Sequence, residues 1–189
     1  MVKIADTKQG RTENSGYIRL FGNVQMGLLM SKVHATVIRS GNDLEVSVWQ
    51  RISDSIKTML ESIFSIPGDA SAVAPIQVIY KPKMPKFEDK RGSQADLVIL
   101  DHSAHRIMVI ELKDGDTFDT KKSSGELESL KAFSAWMEKT HPGYTAQFFF
   151  CSFNQDDKNA IVRGAKNRFG IENAMTGREL CNLIGVDYD

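Results

Sequence analysis

Two acids and one lysine stand out in the middle of the chain. Asp96 opens the run Asp96-Leu-Val-Ile-Leu, and Glu111 and Lys113 close the run Ile107-Met-Val-Ile-Glu111-Leu-Lys113. Both runs are apolar enough to be strands, and Ser103-Ala104-His105 between them is short enough for a tight turn. Alternate side chains of a strand share a face, so Glu111 and Lys113 project together. A hairpin also sets the start of its first strand beside the end of its second, which brings Asp96 to Glu111. Charges placed at the ends of such strands are costly unless compensated. A Mg2+ ion would compensate them, since it takes one or two carboxylates and completes its octahedron with water and substrate phosphate. It would neutralise the phosphate and lower the pKa of a bound water. Lys113 would then orient that water or stabilise charge developing on the phosphorane. The backbone carbonyl of Leu112 is a further candidate ligand. The plainer reading is a Glu-x-Lys pair at a strand end that merely reaches solvent; the apolar strand, the preceding Asp and the following polar loop favour a site.

The flanking sequence supplies the elements that must hold this group. Residues 1–16 are polar and read as an arm. From Val24 to Ile38, Met26, Leu29, Met30, Val33 and Val37 recur at helical spacing. Ser40-Gly41-Asn42 is expected to break that helix, and Asn42 or Asp43 to start a second one. The second carries Leu44, Val48, Ile52, Ile56, Met59, Leu60 and Ile63, and Pro67-Gly68 ends it. Ile76–Tyr80 is a short strand, followed by a proline-punctuated loop from Lys81 to Arg91. Strands at Asp96–Asp101 and Arg106–Lys113 come next, then a helix from Glu126 to Lys139 with Leu127, Leu130, Phe133 and Met137 on its inner side. Ala146–Phe153 reads as a buried central strand, Asp156–Phe169 as a helix, and Thr176–Ile184 as a last helix that Thr176 caps. The expected class is α/β, a mixed central sheet flanked by helices, with N-terminal helices.

The bulk composition bounds the rest. A chain of 189 residues fits one domain, here expected over 1–189, with a helical part at 1–66 and a catalytic core at 75–189. An apolar fraction of 41% and a charged fraction of 25% are those of a soluble globular protein. Acidic and basic residues number 24 each, so any positive surface must be local. Cys151 and Cys181 lack metal-ligand spacing and read as buried free thiols. No run of residues has the form of a signal peptide or a membrane span, which points to a soluble intracellular protein.

Asp96, fourteen intervening residues and then Glu111-Leu112-Lys113 resemble the active-site motif of the PD-(D/E)XK nucleases, especially type II restriction endonucleases. The segment from Glu111 to Glu126 is similar to the stretch after the catalytic strand in several such enzymes. Ala95 stands where the family often has proline. The resemblance implies a restriction-endonuclease-like core, Mg2+-dependent hydrolysis of double-stranded DNA at a specific site, and Asp96, Glu111 and Lys113 as catalytic residues. It also makes Glu45, in Gly41-Asn-Asp-Leu-Glu45, a candidate for a second metal ion or an outer-shell contact; the alternative is an acid favoured by the dipole in a first helical turn. Lys121 and Lys122 lie where family members place phosphate or base contacts. Lys81, Lys83 and Lys86 lie in a loop with five basic residues against Glu88 and Asp89, and could line a DNA groove. The basic residues Lys158, Arg163, Lys166 and Arg168 could do the same, or form an ordinary solvated helix face.

The resulting expectation is a homodimer in a prokaryotic cytoplasm, acting on DNA that a companion methyltransferase protects. Dimerisation follows from one site per chain against two strands related by a two-fold axis. Two alternatives stand beside it: a repair or junction-resolving nuclease of the same fold without sequence specificity, and a non-catalytic DNA- or protein-binding module.

Overall fold

The computed structural model describes residues 4–6, 16–58, 74–84, 94–115 and 120–188, with the side chains of 6 and 120–124 outside the description. By its internal contacts the chain divides into two compact units, Met1–Gln50 and Arg51–Asp189.

The first unit is helical. A short helix α1 (Gly16–Phe21) precedes the long helix α2 (Val24–Arg51). The Asn23 side chain accepts from the Met26 amide at 3.0 Å, which satisfies a donor that the first turn of α2 leaves open. Gly27 is where the two helices meet: a Cβ there would lie 2.5 Å from the Ile18 Cα. The expected break at Ser40-Gly41-Asn42 is absent, and α2 runs through it. A single glycine costs a helix only about 1 kcal/mol relative to alanine, and Arg39 and Asp43 form an i,i+4 ion pair at 3.9 Å across the supposed break. Glu45 therefore lies well inside a helix, so the first-turn dipole explanation for it is withdrawn.

The predicted second helix also ends early, at Arg51. Ile56, counted on its apolar face, instead reaches the sheet: its carbonyl accepts from the Val78 amide at 2.7 Å. The remaining apolar positions Met59, Leu60 and Ile63, with Pro67-Gly68, lie outside the described residues.

The second unit is built on a five-stranded sheet in the order β1-β2-β3-β4-β5. Strands β1 (Ile76–Tyr80), β2 (Leu97–Asp101) and β3 (Arg106–Lys113) form an antiparallel meander. Strands β4 (Thr145–Ser152) and β5 (Ala174–Thr176) add in parallel. Parallel neighbours need crossovers, which helix α3 (Thr120–Thr140) supplies between β3 and β4 and helix α4 (Lys158–Gly164) between β4 and β5. Helix α5 (Gly177–Ile184) closes the chain with a Thr176/Glu179 capping box. The sheet is mixed and flanked by helices, as the pattern of strands and helices indicated.

One face of the sheet carries the main core. Val98 and Leu100 of β2, Ile107 and Val109 of β3, and Phe150 of β4 pack with Leu127, Leu130, Phe133 and Met137 of α3. That α3 stripe is the one its three- and four-residue spacing predicted. Cys151 and Cys181 are buried and free. The helix expected over Asp156–Phe169 covers only Lys158–Gly164, because Lys166 and Asn167 turn left-handed at φ 55° and 56°. No helix among the described residues is long and apolar enough to cross a membrane.

Candidate active site

The pleat decides which side chains meet. Ile107 and Val109 point into the core under α3, so Glu111 and Lys113, at the same parity, continue that face past the core's edge. Val98 and Leu100 do likewise in β2, which leaves Asp96 on the same side just ahead of the strand. The antiparallel register pairs Leu97 with Ile110, and the Asp96 amide donates to the Ile110 carbonyl at 3.1 Å. Asp96 thus lies beside the stretch that contains Glu111.

Three interactions fix the group. The Leu112 amide donates to Asp96 Oδ2 at 2.7 Å. The Lys113 ammonium donates to Glu111 Oε1 at 2.6 Å and to Glu126 Oε1 at 3.1 Å. Burial alone would push the Lys113 pKa down; the two glutamates outweigh it and hold the pKa above the ordinary lysine value. Beside them opens a cleft of about 540 Å³ lined by Lys81, Gln94, Asp96, Glu111, Glu126 and Ser129, with Gly125. Asp96, Glu111 and Lys113, named from spacing, are therefore gathered at one place.

The donor set suits a hard divalent cation. A strand residue's N–H and C=O point to the same side. Because the Leu112 amide aims at Asp96, the Leu112 carbonyl is on that side as well. Two carboxylates and a carbonyl beside open space are the oxygen donors that Mg2+ takes, with water and substrate filling the rest. Among the described residues no three His, Cys, Asp or Glu side chains form a metal-holding group; a magnesium site needs only one or two such carboxylates.

The basic candidates fare differently. Lys81 lines the cleft, donates its amide to the Asp96 carbonyl at 2.8 Å and holds a left-handed φ of 46°. Lys83 is exposed in a bridge with Gln94. Lys86 lies outside the described residues. Lys121 and Lys122 fall in the first turn of α3, their side chains outside the description. Glu45 belongs to the Met1–Gln50 unit. Lys158 pairs with Glu179 at 2.7 Å and Arg163 with Asp157 at 3.3 Å, so both are engaged within the fold. Among the described residues no histidine lines the cleft; His102 bonds Tyr144 at 2.6 Å, and Gln77, at the sheet's other end.

Glu126 was missed from sequence. The signal was there: Glu126 sits four residues before Leu130 and seven before Phe133, an acid in line with a buried apolar stripe.

Full-length similarity to a known enzyme completes the picture: the chain belongs to the type II restriction enzymes, which are site-specific deoxyribonucleases. The relative is the type II restriction enzyme HhaII of Haemophilus parahaemolyticus, 38% identical over 192 residues, a match that spans 100% of this chain and 84% of HhaII. No family model matches the chain, and no solved structure does.

Proposed function

We propose that the chain cleaves double-stranded DNA as a magnesium-dependent nuclease of the PD-(D/E)XK type. The observation that carries this reading is that Asp96 and Glu111 line one cleft, with Lys113 bonded to Glu111 beside it and the Leu112 carbonyl turned to the Asp96 side. Asp96, Glu111 and the Leu112 carbonyl would hold Mg2+. When bound, the ion supplies a Lewis acid for the scissile phosphate and an acidified water. Lys113, kept charged between two glutamates, offers a cation to the phosphate oxygens or a donor that orients the attacking water. Lys81, which lines the same cleft beside Asp96, is the first candidate to meet the DNA backbone. Lys83, Lys86, Lys121 and Lys122 are further candidates for that contact.

By the same reading the active species is a homodimer in the bacterial cytoplasm, and a companion methyltransferase protects the host's own sites. The similarity to HhaII supports specific cleavage over the structure-selective rival. The clustered charges argue against a non-catalytic module, which has no use for them.

Plasmid DNA incubated with the protein and magnesium should yield discrete fragments, and EDTA should stop the reaction. Asp96→Ala and Glu111→Ala should each slow cleavage by at least about 10³-fold. Undiminished cleavage by Glu111→Ala would remove this site from consideration.

A further inference from the structure

Lys113 has two carboxylate partners from different elements. Glu111 lies on its own strand, two residues before it, whereas Glu126 comes from α3 across the cleft. Glu111 is also a candidate metal ligand, so its carboxylate would be shared between the ammonium and any cation that binds. Nothing in strand β3 itself would then keep the lysine aimed. Among the described residues, Glu126 is the group that can. Its side chain is only 18% exposed, it lines the cleft with Asp96 and Glu111, and the helix that carries it is anchored by Leu127 and Leu130 in the core.

We propose that Glu126 is a positioning residue, which holds the Lys113 ammonium over the cleft from the α3 side while Glu111 engages the cation. It acts through Lys113 and need not touch DNA. The inference rests on the reading of the site given above. Should Glu111→Ala leave cleavage intact, that reading fails; should Glu111→Ala abolish cleavage while Glu126→Ala spares it, this inference alone fails.

Two measurements test it. In single-turnover cleavage of a plasmid that the unaltered protein cuts, Glu126→Ala should lower the rate roughly 10–100-fold. Glu126→Gln, whose amide oxygen still accepts from the ammonium, should lose less than Glu126→Ala. Adding Glu126→Ala to Lys113→Ala should cost nothing more, since residues that act as one unit are not additive. The second measurement uses metal-free protein, pulse-labelled with acetic anhydride and read by mass spectrometry. In Glu126→Ala the acetylation of Lys113 should rise several-fold relative to the exposed lysines. Unaltered labelling of Lys113, an undiminished rate in Glu126→Ala, or a double variant that loses the product of both single losses would each overturn the proposal. If Glu126→Ala does not fold, Glu126→Gln carries both measurements, with smaller changes of the same sign.

Discussion

A lysine that must stay charged in a largely covered place needs its partners, and removing it should expose their mutual repulsion. With Lys113 changed to Met, Glu111 and Glu126 would face each other across the cleft without a cation. The side chains concerned are 26%, 14% and 18% exposed, so solvent screens part of the effect, and a loss of about 1–3 kcal/mol at pH 7 is expected. Because the Lys113 pKa is raised above 10.5, the stability it contributes is present at all lower pH and is lost only as pH rises through the raised value. In Lys113→Met the deficit should therefore be full at pH 7 and shrink only as pH rises beyond 10.5. Urea unfolding at pH 7 and at about pH 11 reads this directly, and a deficit that grew at the higher pH would contradict it. The same residues show what was legible. Asp96, Glu111 and Lys113 could be gathered from sequence because strand alternation and a tight turn fix which side chains share a face. For Glu126 the spacing gave only its side of the helix, in line with Leu130 and Phe133; that the helix passes over Lys113 rather than elsewhere on the sheet is not stated by spacing along one chain.

Strands proved easier to read than helices, for a physical reason. The bounds of β1 and β3 follow from runs rich in β-favouring residues, Ile76–Tyr80 between Pro75 and Lys81-Pro82, and Arg106–Lys113 before Asp114-Gly115. Strand β5, only Ala174–Thr176, is too short to leave a pattern, and its membership in the sheet comes from pairing with β4. Helix ends depend on small balances. Ser40-Gly41-Asn42 has the composition of a turn, yet α2 passes through it, because a weak helix-former between two helical segments costs less than starting a new helix. This difference is testable. Around Gly41 a Cβ would meet nothing within 4 Å, and its φ is not positive. Gly41→Ala should therefore raise the melting temperature, stabilising by up to about 1 kcal/mol. A turn that needed glycine there would give a loss instead.

At the scale of the whole molecule the question is how one site per chain deals with two DNA strands. Leu20, Phe21, Val24, Met26, Leu29, Val37, Ile38 and Val46 are all exposed large hydrophobics in the helices of the Met1–Gln50 unit. Scattered single apolar residues need no explanation, but so many along two consecutive helices are apolar area that a partner could cover. On the proposed homodimer reading, a second copy of the chain would cover this area, and a two-fold pair would present two clefts related as the strands are. The pair Leu29→Glu and Val37→Glu, 51% and 66% exposed, places charge in the Met1–Gln50 unit and alters no residue of the Arg51–Asp189 unit that carries the sheet and cleft. Light scattering should show the unaltered chain at twice its 21.1 kDa mass and the double variant at the single-chain mass. With supercoiled plasmid, the variant should accumulate nicked circles before any linear product, because each encounter would sever only one strand. A variant that remains dimeric and still linearises plasmid in one step would move the interface elsewhere. An unaltered chain that is monomeric at micromolar concentration, yet cuts both strands together, would require two copies to meet only on DNA.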